Sequence, residues 1–123
     1  MLELERVRGL RVVADASAMD DARWTGDDVT VLRFAPDEAF AIGATAVDID
    51  DPHAIVEVEA GFVAGAVDLD VVAARIEWAL PSERPALAQG SIAGVPAKLW
   101  LTDAGATLVV QAAYAADLLA RLR

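Results

Sequence analysis

Apolar and polar residues alternate along this chain in short blocks, most of them closed by glycine, proline or paired acids. That spacing predicts short strands and two helices rather than a helical bundle. Residues 9–14 form the first predicted strand. Residues 15–28 follow as a polar, turn-rich stretch whose one large anchor is Trp24. The β-branched run 29–34 predicts a second strand, and residues 39–43 its hairpin partner. Between them, Ala35, Pro36, Asp37 and Glu38 read as a tight turn, since proline presets its own φ and acids suit turn and cap positions. Residues 45–52 form an acidic connector.

From residue 53 onward the pattern is denser. Ala54, Val56 and Val58 fall on one face of a strand, expected to meet the core. Ile55, Glu57 and Glu59 fall on the other, facing water or a cationic partner. Residues 61–67 lack alternation and predict a central strand buried on both faces. Asp68 is the expected N-cap of the clearest helix, which runs to Pro81 with Leu69, Val72, Ala73, Ile76, Ala79 and Leu80 in one stripe. Val71, Ala74 and Trp78 make a second stripe that either broadens the core contact or faces a partner.

Strands over 87–93 and 96–102 join through Gly94-Val95, and Asp103-Ala104-Gly105 turns the chain into a strand over 106–111. The last helix sets Ala115, Leu118, Leu119 and Leu122 on one face, with Asp117 and Arg121 at i, i+4 opposite. The expected class is α+β: small, mostly antiparallel sheets with helices packed on one face. Residues 1–123 make one domain, with an acidic N-terminal lobe over about 1–52 and a C-terminal lobe over about 53–123.

Composition narrows the function classes. With 56 % hydrophobic and 24 % charged residues the chain is globular, and its Ala and Val content predicts a core of small side chains. Cysteine is absent, which excludes a disulfide framework and a thiolate site. The first ten residues carry mixed charge, unlike a signal peptide, and the longest apolar stretch, 60–67, is too short to span a bilayer. A cytoplasmic, soluble protein is therefore expected.

Net charge is −10, held unevenly: residues 1–60 carry 14 acids and 5 bases, residues 61–123 carry 6 acids and 5 bases. Such a surface repels phosphate, so nucleic acid and anionic membrane are disfavoured partners. The near-neutral C-terminal half is the better surface for packing on another protein, while acid in the loops maintains solubility.

Catalytic chemistry is thinly represented. His53, the single histidine, follows Pro52 and suits a solvated or capping role better than that of a general base. Ser17, Ser82 and Ser91 stand in no nucleophile-elbow context. The acidic pairs Asp20-Asp21, Asp27-Asp28, Asp37-Glu38 and Asp50-Asp51 lack calcium-loop spacing and read as solvated turns. No phosphate-binding glycine loop is present. No catalytic residue and no metal site is assigned. Phe62, Trp78 and Trp100 remain as candidate interface anchors, and the tryptophans fit the core equally well.

Several strings in order resemble the gamma subunit of heterotetrameric sarcosine oxidase, itself similar to the folate-binding domain of glycine-cleavage aminomethyltransferase. They are residues 32–38 (LRFAPDE), 55–62 (IVEVEAGF), 88–96 (AQGSIAGVP) with Leu99-Trp100, and 113–115 (AYA) opening the last helix. Ala39-Phe40 stands where the family usually has tryptophan after Pro-Asp-Glu, and Glu57-Val58-Glu59 replaces an Asp-Val-Ser-like motif.

The resemblance implies ferredoxin-like halves and an accessory subunit without catalysis of its own, in an oxidase that demethylates N-methylated amino acids. FAD, FMN, NAD and folate would belong to the partner subunits, and this chain would bind no cofactor. Its partner would be a larger flavoprotein subunit, or a further copy of itself. An alternative is a stand-alone small-ligand binder in which Arg33, Gln89, Lys98 or Arg75 meets a carboxylate. A third is an acidic protein-interaction domain.

Overall fold

The computed structural model describes residues 2–123. The elements, in order, are β1 (Glu5–Val13), α1 (Ala16–Asp20), β2 (Arg23–Ala35), β3 (Glu38–Asp48) and β4 (Ile55–Val67), then α2 (Leu69–Ala73), β5 (Ala86–Ile92), β6 (Val95–Thr102), β7 (Gly105–Gln111) and α3 (Ala112–Arg121). The strands hydrogen-bond in the order β2-β3-β1-β4-β7-β6-β5, and the pairs β1–β3, β2–β3, β4–β7, β5–β6 and β6–β7 are antiparallel. This is an α+β fold dominated by a mostly antiparallel sheet. It contains two compact units, one spanning Val7–Ala60 and one combining residues up to Arg6 with Gly61–Arg123.

In the unit of residues 7–60, β2 and β3 form the hairpin expected around Pro36-Asp37, closing at Ala35 opposite Glu38. Both strands are longer than the segments, 29–34 and 39–43, that signalled them. The polar stretch before residue 29 joins β2 through register shifts between Thr25 and Thr30: Gly26 pairs with Ala44, residues 27–29 are taken up by the irregularity, and Asp28 stands at φ 48°. β1 pairs with β3 so that Leu10 meets Ala41 and Val12 meets Ala39. These four buried residues share one face and form a core with Ala14, Met19 and Ala44. Met19 reaches that core from α1, a single turn whose N-cap Asp15 accepts from Ser17 N at 3.3 Å.

The strand expected over 53–59 begins at Ile55 and continues without a break through residue 67. Of the face expected to meet the core, Ala54 packs against it, but Val56 is 44 % exposed and Val58 60 %; Ile55, expected on the outer face, is 56 % exposed. Alternation identifies two faces but not which of them is covered. Of residues 61–67, Phe62 and Val63 are buried, and the rest are half-buried or exposed.

In the unit holding residues 61–123, β4, β7, β6 and β5 pair as an antiparallel meander in β7-β6-β5 with β4 beside β7. Val63, Ile92, Leu99, Leu101, Leu108 and Val110 alternate onto one face, where Val72 of α2 and Leu118 of α3 join them. The β5–β6 turn falls on Ala93 and Gly94, at φ 50° and 83°, the left-handed pair that matches strand twist. Glycine therefore suits the second position. At the next turn, Thr102 Oγ1 accepts from Ala104 N at 3.2 Å.

The helix expected to run to Pro81 stops after one turn. Asp68 caps it as anticipated, accepting from Asp70 N at 2.9 Å, but Ala74 is already its C-cap. Two contacts redirect the chain. Arg75 O accepts from Ala93 N at 2.9 Å, and Trp78 Nε1 donates to Ser91 O at 2.9 Å. Ile76, Trp78 and Leu80 still reach the core cluster, from irregular backbone. A β-branched helix this short has little intrinsic stability to oppose such contacts. Among the described residues no helix is long and apolar enough to cross a membrane.

Candidate functional site

The three candidate anchors occupy different surroundings. Phe62 is 4 % exposed, in register with Gln111, and so lies on the face of β4 opposite Val63. Trp100, half-buried, shares that face, since it alternates with the core residues Leu99 and Leu101. Trp78 packs against the other face, its ring over Gly90, where an added Cβ would lie 2.6 Å from the indole. Glycine at 90 is what lets the indole approach the strand.

The polar candidates for a ligand site also separate. Gln89 and Lys98 are register partners on β5 and β6, and Lys98 Nζ donates to Gln89 Oε1 at 2.9 Å. Arg75 instead donates to the carbonyls of Arg121 and Arg123 at 3.0 and 3.2 Å. Arg33 donates to the carbonyls of Pro36 and Ala16 and pairs with Asp20 at 2.9 Å, tying the β2–β3 turn to α1. Only Gln89 and Lys98 are brought together.

His53 is exposed, and its backbone N donates to Asp51 Oδ1 at 2.8 Å. Asp51 Oδ2 accepts from Asp15 N at 2.8 Å. The Asp15 N–H, followed by that of His53, holds the Asp51 carboxyl below the ordinary aspartate range. This is a structural clasp. Ser17 belongs to the α1 cap, and Ser91 contributes its carbonyl to Trp78. Among the described residues no group of three His, Asp or Glu side chains could hold a metal ion.

An ionic cluster on β1 was not anticipated. Arg11 contacts Glu38 at 2.6 Å and Glu59 at 3.0 Å, with its guanidinium 4.9 Å from the Phe34 ring centroid. Phe34 in turn meets Phe40 edge-on at 6.2 Å. Arg11 lies between the core residues Leu10 and Val12, so period-two reading puts it on the opposite face. Its acidic partners lie 27 and 48 residues away and become visible only once the strands are paired.

Two depressions occur in the unit of residues 61–123. A groove of about 640 Å³ runs between α2 and α3, lined by Leu2, Val67, Val71, Leu119 and Leu122, with Asp68 and Arg123 as its charged residues. Val71 is 42 % exposed there, so the second stripe presents an aliphatic side chain to solvent. A shallower cavity of about 260 Å³ is lined by Phe62, Gln89, Lys98, Gln111 and Tyr114, among others. The groove can accept an apolar side chain or helix, and the cavity a small polar molecule. No protein-family model matches this chain, and no curated protein matches it.

Proposed function

We propose that this chain is a non-catalytic accessory subunit, of the kind represented by the gamma subunit of heterotetrameric sarcosine oxidase, which packs on a larger flavin- and folate-binding subunit. The single observation that carries the reading is the aliphatic groove between α2 and α3, with Val71 at 42 % exposure. An interface core depleted of charge and filled by apolar side chains is what subunit packing requires. Residues 61–123 also carry little net charge, 6 acids against 5 bases, which suits desolvation. In this reading the halves correspond to the ferredoxin-like architecture of aminomethyltransferase folate-binding domains. FAD, FMN, NAD and folate reside in the larger subunits, and the assembly works in the cytoplasm, away from nucleic acid and membrane.

The test is affinity purification of the tagged chain from its source cells, with the bound fraction identified by mass spectrometry and scanned for flavin absorbance. A flavoprotein should co-purify with wild type and be lost with Val71→Asp, an exposed substitution that leaves the fold intact. Recovery of the tagged chain alone, or of the same flavoprotein with Val71→Asp, would defeat the proposal.

The Gln89–Lys98 pair favours a second reading, a small-ligand binder using the folate-domain architecture. Its cavity offers one ammonium, two side-chain amides and the hydroxyls of Ser91 and Tyr114 around Phe62. Calorimetric titration with a folate analogue checks it: heat abolished by Lys98→Met supports the binder, and no heat with wild type removes it.

A further inference from the structure

Half of β4 is built unlike the rest of the sheet. The strand order places β1 on one flank of β4 and β7 on the other, yet β7 pairs with β4 only from Phe62 to Val67. Residues 55–58 therefore lie beyond the end of the β7 ladder. Their side chains are open to solvent on both faces: Ile55 at 56 %, Val56 at 44 % and Val58 at 60 %, with Glu57 also exposed. Three of the six exposed large hydrophobic residues among those described thus fall within four consecutive positions, and Val13 on neighbouring β1 is a fourth.

Open strand edges are usually blunted by lysine, proline, a bulge or a covering loop. Residues 55–58 contain neither lysine nor proline. The approach to the strand is also held in place, because Asp51 clasps Asp15 N and His53 N at 2.8 Å each. An ordered, aliphatic edge without lysine or proline is the geometry to which an extended peptide adds as a further strand.

Charge selects the occupant. Residues 7–60 carry 12 acids and 4 bases, and two of those bases, Arg11 and Arg33, are paired with Glu38, Glu59 and Asp20. A second copy of this edge would bring Glu57 and its acidic surroundings against their own like, which opposes self-pairing. A strand alternating aliphatic and cationic residues would instead place cations beside Glu57 and aliphatics beside Val56 and Val58. We propose that residues 55–58 are a strand-addition site for an extended, basic and aliphatic segment of another protein. This surface is separate from the α2–α3 groove and does not depend on the accessory-subunit reading.

Two synthetic peptides test it, one alternating valine and lysine, the other alternating valine and glutamate. Binding is read by calorimetry and by amide hydrogen exchange. The lysine peptide should bind at least about tenfold more tightly than the glutamate peptide, a difference of about 1.4 kcal/mol. It should slow exchange at residues 55–58 and lose affinity as salt is raised. Glu57→Lys, at an exposed position, should invert the preference.

Val56→Pro and Glu57→Pro form a matched pair, since adjacent N–H groups point to opposite flanks of a strand. One of them should keep the wild-type melting temperature and lose the lysine peptide. Equal affinity for both peptides would overturn the proposal, as would protection elsewhere than residues 55–58. Unchanged peptide preference in Glu57→Lys, or wild-type dimerisation that itself protects this edge, would do the same.

Discussion

The two units reach a closed core by different routes. Residues 61–123 bury long aliphatic side chains, Ile92, Leu99, Leu101, Leu108 and Leu118, all with no exposed surface, between strands and two helices. Residues 7–60 close the cluster beneath α1 largely with small side chains, Ala14, Ala39, Ala41 and Ala44, around Leu10, Val12 and Met19. Each buried methylene is worth about 0.8 kcal/mol, so an alanine-rich core gains less per residue. On its other face this unit buries Leu32 and Phe40, and beside them Arg11 joins Glu38, Glu59 and Phe34; the Asp51 clasp adds a further polar tie. One unit is secured mainly by hydrophobic burial, the other partly by charge. Acid and salt should therefore act on the second more than on the first.

The largest expected effect sits in the aliphatic core. Leu99→Ala should destabilise the protein by about 2–5 kcal/mol, through lost transfer energy and the cavity left behind. Val12→Ala, at an equally inaccessible position, removes fewer atoms beside alanines and should cost about half as much. Urea unfolding of both variants decides the matter, and equal losses would break the contrast between the two cores.

Next in size is a substitution that adds volume. Gly90→Ala sets a methyl group only 2.6 Å from the Trp78 indole, so the ring must move and its hydrogen bond to Ser91 O is strained or lost. Overpacking of this kind costs about 1–3 kcal/mol. Tryptophan fluorescence should shift toward that of a solvated indole in the folded variant. Stability and emission like those of wild type would show that Trp78 contributes little to this unit.

Arg11→Met keeps the aliphatic stem over Phe34 and removes the charge. The pair is only partly shielded from water, so the loss should be about 1 kcal/mol or less. Raising the salt concentration should narrow the gap between variant and wild type. A gap that is insensitive to salt would mean that packing on Phe34, rather than charge, holds the cluster.

The features that sequence exposed are those written locally. Pro36-Asp37, Gly94 and Asp103-Ala104 each carry the chemistry of their own turn, so the hairpins they close could be read directly. Leu118 and the Asp117–Arg121 pair likewise follow from a single helix, the pair closing at 3.0 Å. What stayed hidden depends on partners distant in the chain. The α2 stripe satisfies helical spacing as far as Leu80, yet Ala93 and Ser91 capture Arg75 O and Trp78 and end the helix early. The faces of β4 were separable by alternation, but their exposure depends on where β7 stops pairing. The α2–α3 groove needs two elements about 45 residues apart and could not be drawn from either alone.

Asp51 gives the smallest and most specific expectation, because only its acid limb should change. Its carboxylate accepts the backbone N–H groups of Asp15 and His53, which holds its folded pKa below the unfolded value of about 3.9. The unfolded chain therefore binds this proton first as pH falls. The stabilisation is complete above the unfolded pKa and is lost as pH drops from about 4 through the lowered folded value. Asp51→Asn removes the titration, so its stability should fall less steeply than wild type over that window, starting from a slightly lower value at neutral pH. Urea midpoints measured from pH 6 to about pH 2.5 compare the two slopes. Parallel curves would show that the clasp contributes no proton linkage.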